Sequence, residues 1–258
     1  MCFEFDAVPP DLPTDIPRVA GGAAAELLEL ESPDGTRFSA AFAGTGEVRG
    51  PGVVIYPDVR GLYPFYMQLA ERFAEAGHHA VVIDFFGRTA GLGPRDDDFE
   101  YVEHVPKTRS AQIQEDTMAA LDEVSRRVGE TRFVSVGFCF GGGESFLATT
   151  NENLGLLGAV GFYPGLVRAR WGLEGPMDRA ADMRGPLLGL FGGADQGIPQ
   201  EQIDEFSGKL ADAGVDHEFH VYPGAPHSFF DRSQEDYADA SEDAWRRVLT
   251  FLKTVPGT

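Results

Sequence analysis

The sequence predicts an α/β protein with a mostly parallel central sheet and helices on both faces. Three observations predict it. Short β-rich apolar runs alternate with longer amphipathic segments along most of the chain. The length of 258 residues, with 43% hydrophobic and 24% charged residues, suits one large globular domain with a sizeable core. The residues able to do chemistry fall just after the apolar runs, where such sheets place their sites.

The elements follow in order. Residues 1–22 are rich in proline and acid and read as an extended lead-in over the surface, leaving residues 23–258 as a single domain. "AELLELES" and "RFSAAFAG" read as a hairpin with Pro33-Asp34-Gly35 as its turn. "GVVIYP" (52–57) is the first core strand. "PFYMQLAERFAEAG" (64–77) has helical spacing at Tyr66, Leu69, Ala70 and Phe73 and stops at Gly77. "HAVVIDF" (79–85) is the next buried strand. "SAQIQEDTMAALDEVSRRVG" (110–129) is an amphipathic helix with Ile113, Met118, Leu121 and Val124 on its apolar side. "RFVSVGF" (132–138) is a strand, and a helix begins near Cys139. Further strands are "LGAVGFYP" (157–164), "PLLGLFGG" (186–193) and "HEFHVYP" (217–223), with helices near 199–214 and 238–254.

The net charge of -20 repels phosphate backbones and anionic membrane surfaces, so neither nucleic acid nor membrane is expected as a partner. Lysine occurs only at Lys107, Lys209 and Lys253. The only cysteines are Cys2 and Cys139, which gives no disulfide framework and is compatible with a reducing compartment. The N-terminus lacks the pattern of a secretory signal, and no apolar run reaches 18 residues. A cytoplasmic monomer or homodimer is the expectation.

Gly137-Phe138-Cys139-Phe140-Gly141 reads G-x-C-x-G between a strand and a helix. That is the G-x-S-x-G nucleophile elbow with sulfur in place of oxygen. Such a turn strains the nucleophile's backbone and leaves no room for bulk two residues away. The helix N-terminus favours a thiolate there, and the Phe140 N–H can serve an oxyanion hole. From the pentapeptide alone, a buried structural cysteine at a close strand–helix crossing fits equally well. Downstream, "LLGLFGGADQGIP" carries Asp195 after one strand, and "HVYPGAPHSFFD" carries His227 after the next. The order Cys139, Asp195, His227 matches the nucleophile–acid–base order of α/β-hydrolases. All three should emerge at one edge of the sheet, with His227 taking the thiol proton and Asp195 orienting the imidazole. His78, His79, His104, His217 and His220 lie in strands or irregular stretches without such companions.

On "GFCFGG", "GGADQGIP", "YPGAPHSFFD" and "YPDVRGL…ERFAEAG…VVIDFFGR", the sequence resembles the dienelactone hydrolase family over roughly residues 25–255. The resemblance implies an α/β-hydrolase fold, a three-layer sandwich of helices around the sheet. It implies a Cys–His–Asp triad on Cys139, His227 and Asp195. It further implies hydrolysis of a small-molecule ester or lactone through a thioester, with no metal or organic cofactor. The family's oxyanion donors fall on Val59 and Phe140. Its acid beside the resting thiol, typically glutamate, falls on Asp58. Family arginines hold a substrate carboxylate, one of them four residues after the histidine. Here that position is Asp231, followed by Arg232, so Arg60, Arg88 and Arg95 are the candidate substitutes. Tyr163 and Phe229 are candidates for the substrate pocket, and residues 87–109 are long enough to line or cover it. A general carboxylesterase or thioesterase and a non-catalytic ligand-binding protein are the rival functions.

Overall fold

The Pro33-Asp34-Gly35 turn folds β1 (Glu26–Glu31) back on β2 (Arg37–Ala43) as an antiparallel hairpin. Asp34 accepts a hydrogen bond from the Thr36 N–H at 2.9 Å, and Gly35 takes the positive φ of 81° that the turn needs. The hairpin leads into β3 (Gly52–Tyr56), β4 (Ala80–Ile83), β5 (Phe133–Phe138), β6 (Leu156–Phe162), β7 (Leu187–Gly192) and β8 (His217–Tyr222). The structure is a computed structural model and describes residues 6–19, 24–232 and 234–255. Cys2 lies outside them.

The strands form one eight-stranded sheet in the order β1-β2-β4-β3-β5-β6-β7-β8 among the described residues. β2 pairs antiparallel with β4, and every pairing from β4 to β8 is parallel. β3, β4, β5 and β7 are buried along their whole length, which is why their sequences are continuous apolar runs. β1 and β8 are edge strands and keep partly exposed, polar positions. The chain runs outward from β3 in both directions, to β4 on one side and β5 on the other. The loops leaving β3 and β5 therefore part at their carboxyl ends and open a crevice.

Five helices of eight residues or more cover the sheet in the described chain: α1 (Pro64–Ala76), α2 (Ser110–Val128), α3 (Phe140–Ala148), α4 (Gln200–Asp212) and α5 (Ala238–Thr254). Successive residues of β3 face opposite cores. Val53 and Ile55 pack in the cluster that holds Leu69 and Phe73 of α1 with Trp245 and Leu249 of α5. Val54 and Tyr56 pack in the cluster that holds Ile113, Leu121 and Val124 of α2. On α4, Phe206 stacks on Phe219 of β8 and on Phe146 of α3. α1 and α2 end as their sequences indicate, on left-handed Gly77 (φ 97°) and Gly129 (φ 73°). The connections after β4 and β6 contain single-turn helices at Gly87–Ala90, Tyr101–His104 and Pro176–Arg179. These are too short to carry the periodicity that reveals a helix.

The part of the lead-in that is described, residues 6–19, is docked onto α1, α5 and the loop after β8. Ala7 and Leu12 join the core, the Trp245 indole N–H donates to the Pro10 carbonyl at 3.1 Å, and the Arg232 N–H donates to the Val8 carbonyl at 3.0 Å. Arg246 grips Asp15 through two contacts of 2.7 Å. Leu12 is 3% exposed, so Leu12→Ala is expected to cost about 2–3 kcal/mol in urea unfolding, as a core truncation does. A loose tail would give no measurable change in midpoint.

Candidate active site

β5 hands over to α3 through a single residue, Cys139, with φ 54° and ψ −114°. Few non-glycine residues adopt a positive φ, and each does so at an energetic cost. The neighbouring glycines leave the space this turn requires. A Cβ on Gly137 would overlap the Gly141 carbonyl, and one on Gly141 would overlap the carbonyls of Tyr56 and Pro57. On Gly142 it would meet the Phe162 carbonyl at 2.9 Å, and on Gly143 it would overlap the Arg168 guanidinium. The Cys139 N–H donates to the Phe162 carbonyl at 3.0 Å, and its carbonyl accepts from Gly165 at 2.9 Å and Gly143 at 3.2 Å. The side chain sits at the positive end of α3, in a residue only 9% exposed.

Asp195 and His227 meet it there. The His227 Nδ1 contacts the Asp195 Oδ2 at 2.6 Å, and His227 also hydrogen-bonds the Cys139 side chain. Burial disfavours a charged His227. The negative charge of Cys139 and the hydrogen bonds to Asp195 and Cys139 outweigh burial and raise its pKa to about 10. Burial likewise disfavours the Asp195 carboxylate. His227 and the N–H groups of Gly197 and Ile198 overcome it and hold that pKa below the usual carboxylate range. His227 is thus held toward its protonated form between the Asp195 carboxylate and the Cys139 side chain. A cysteine paired with an imidazole in this way can attack an electrophilic carbonyl, with the imidazole returning a proton to the leaving group.

The peptide N–H groups of Val59, after β3, and of Phe140, at the start of α3, are the candidate oxyanion donors. Neither Val59 N–H nor Phe140 N–H has an acceptor among the described residues. Each belongs to a peptide whose carbonyl is tied elsewhere. The Asp58 carbonyl accepts from Gly61 at 3.0 Å, and the Cys139 carbonyl is held as above. Asp58 is 1% exposed. Its pKa is raised by burial, with the Cys139 charge adding to the rise and Arg60 opposing it. Arg60 spans Asp58, with Nη2 to Oδ2 at 3.0 Å, and also donates to the Tyr63 hydroxyl at 2.5 Å.

The other sequence candidates fall differently. Arg88 is committed to Asp116, at 2.7 and 2.9 Å, and to Asp34 at 2.9 Å, clamping the hairpin turn to α2. Arg95 is 8% exposed and committed to Asp84, whose carboxylate also accepts from the Leu62 and Phe86 N–H groups. That network braces the 87–109 connection, and both guanidinium groups have partners other than a substrate. Tyr163 and Phe229 are fully buried. Tyr163 packs its ring 4.8 Å from that of His227, and Phe229 packs against Tyr163 at 5.7 Å. Asp231 is buried and Arg232 pairs with Asp11 of the lead-in. Sequence reasoning missed Tyr66, whose hydroxyl accepts the Asp58 N–H at 3.0 Å, because Tyr66 reads simply as the apolar face of a helix. It also missed Arg168, which no motif marks. A cavity of about 560 Å³ lies between α2 and α3 beside Ser110, Gln114 and Glu144 and includes none of Cys139, Asp195 or His227. The constellation of side chains, not that cavity, locates the chemistry. No helix among the described residues is long and apolar enough to cross a membrane.

A mostly parallel sheet with an elbow after β5 and an acid and a histidine after β7 and β8 defines an α/β-hydrolase. The chain belongs to the dienelactone hydrolase family, whose model matches residues 38–256. It is 30% identical over 209 residues to a Methylorubrum extorquens protein named "Putative carboxymethylenebutenolidase", covering 79% of this chain and 72% of that one. It is also 30% identical to a carboxymethylenebutenolidase of Rhodococcus opacus, over 79% and 81% of the two chains. Among solved structures, a "Putative Dienelactone Hydrolase" from Klebsiella pneumoniae superposes with a TM-score of 0.77. That match has 27% identity and covers 90% of this chain and all of that one.

Two measurements check the site. Cys139→Ala removes the negative charge that stabilises the imidazolium. The His227 pKa should therefore fall from about 10 in an NMR titration, while Asp195 still holds part of the shift. Gly141→Ala should cost about 3 kcal/mol of unfolding free energy, at the upper end of overpacking. Gly208→Ala, exposed on α4 with open space around it, should instead stabilise by about 0.5–1 kcal/mol.

Proposed function

We propose that the protein hydrolyses a small-molecule ester or lactone through a covalent thioester on Cys139. The single observation that carries this reading is the Asp195–His227–Cys139 chain built on a strained elbow at a helix N-terminus. The Cys139 thiolate attacks the carbonyl carbon, and the N–H groups of Val59 and Phe140 receive the oxyanion. One such donor is worth about 3–4 kcal/mol in the transition state. The imidazolium of His227 protonates the departing alcohol or enol oxygen. The neutral imidazole then takes a proton from water, which cleaves the thioester and restores the thiolate–imidazolium pair. Asp195 keeps the ring in the orientation and tautomer that both transfers need.

Arg60 is the candidate for recognising a substrate anion. Its partner Asp58 lies within the field of Cys139, so the guanidinium stands next to the reacting centre with its side chain 15% exposed. The family's relatives include carboxymethylenebutenolidases, whose name describes a lactone bearing a carboxylate. A substrate of that chemical class, or a related ester, is our proposal here too.

With an activated aryl ester, Cys139→Ala should abolish turnover. Wild-type enzyme quenched early should gain the acyl mass on the peptide containing Cys139. Wild-type rates in the alanine variant would overturn the reading. Arg60→Met should raise KM for a carboxylate-bearing lactone about tenfold or more, equivalent to about 1.4 kcal/mol, and leave a neutral ester little changed. Equal effects on both substrates would remove Arg60 from recognition.

A further inference from the structure

Arg168 lies in the loop after β6 and is 3% exposed, so it meets no substrate directly. Its guanidinium donates from Nη2 to the Phe140 carbonyl at 2.5 Å and lies over the Phe140 ring at 4.3 Å. From Nη1 it pairs with Glu144, one turn further along α3, and Glu144 accepts a hydrogen bond from Ser110 of α2 at 3.0 Å. Gly143 supplies the room, since a side chain there would collide with the guanidinium.

As a device for stability this pair is a poor one. Burying two charges costs several kcal/mol per ion before attraction repays it, and full repayment needs every donor and acceptor satisfied. Arg168 Nε and Glu144 Oε2 are buried without a hydrogen-bond partner in the described structure. Well-packed apolar side chains would hold α3 to the loop at least as well. What apolar side chains cannot do is grip a carbonyl.

We infer that Arg168 is a positioning residue for the oxyanion site, fixing Phe140 so that its N–H faces the carbonyl oxygen under attack. This rests on the thioester reading above. The same loop carries both anchors of the elbow. The Gly165 N–H holds the Cys139 carbonyl, which fixes the peptide plane bearing the Phe140 N–H, and Arg168 holds the Phe140 carbonyl, which fixes the next plane. With two consecutive planes fixed, the first N–H of α3 has little freedom to turn away. Its orientation is then paid for in folding rather than during the reaction.

The test separates oxyanion stabilisation from nucleophile reactivity. Acylation of Cys139 by p-nitrophenyl acetate passes through an oxyanion, whereas alkylation by iodoacetamide displaces iodide directly and forms none. Arg168→Met should slow acylation about 10- to 100-fold, with kcat falling and KM held, while alkylation stays within about twofold of wild type. Because Arg168→Met alone orphans the Glu144 charge, the paired variant Arg168→Met with Glu144→Leu provides a fold-preserving version. It should match wild type in urea unfolding and still acylate slowly. Wild-type acylation in the folded paired variant overturns the inference, and so does an equal loss of acylation and alkylation. If Cys139→Ala keeps its esterase activity, the thioester reading itself falls, whatever the arginine variants do.

Discussion

Everything at the carboxyl edge of the sheet depends on one backbone constraint, the positive φ of Cys139 between β5 and α3. A side chain in that conformation is strained unless its surroundings hold it. Here they hold it tightly. The residue is bonded through its N–H to the end of β6 and through its carbonyl to Gly165 and Gly143. Gly137 and Gly141 let α3 cross so close to β3 and β5 that no Cβ fits. The sulfur is thereby pushed out at the start of a helix, where the dipole favours its negative charge. The loops that carry Val59, Tyr163 and Arg168 all pack against this one turn.

The electrostatics follow from that placement. The site holds one sulfur, one imidazole and two carboxylates, and burial makes any isolated charge among them expensive. The charges are therefore set in pairs. Asp195 faces His227, and His227 faces Cys139. Asp58 faces Arg60. The two carboxylates are driven in opposite directions, Asp195 down and Asp58 up, although both are buried. What separates them is first the depth of burial. Both have a cation and backbone donors, but Asp58 is the more deeply buried, so desolvation outweighs Arg60 there, and the Cys139 charge adds to the rise.

Much of this was legible in the sequence, for reasons that can be named. The parallel strands announced themselves because burial on both faces demands continuous apolar runs such as "GVVIY" and "LLGLFG". The elbow was legible because steric exclusion admits only glycine at its flanks, and Asp195 and His227 because each follows its own strand. The arginines were not. A guanidinium reaches far from its Cα, and its partner is set by tertiary packing. Arg88 is drawn to Asp116 on α2 and Arg95 to Asp84, neither of them a sequence neighbour. Buried aromatics suffer the same ambiguity. Tyr163 and Phe229 read as pocket residues in the sequence, but both are buried, Tyr163 against His227 and Phe229 against Tyr163. The proline- and acid-rich lead-in reads as an extended surface segment, yet Leu12 and Ala7 enter the core, since two apolar residues among prolines give no period to detect.

The competition around Asp58 sets the last condition on the site. A thiolate and a carboxylate close together destabilise each other, and the Asp58 pKa is raised in part by Cys139. Arg60 opposes that rise, because its guanidinium spans the Asp58 carboxylate and is itself held by the Tyr63 hydroxyl and ring. Any ligand that drew Arg60 toward its own anion would weaken that compensation. The Asp58 pKa would then rise further. Asp58 is a methylene shorter than a glutamate would be, and on the same loop as the Val59 N–H its own backbone N–H is held by the Tyr66 hydroxyl. Asp58, its partner Arg60 and the Val59 N–H thus lie on one short segment, residues 57–61.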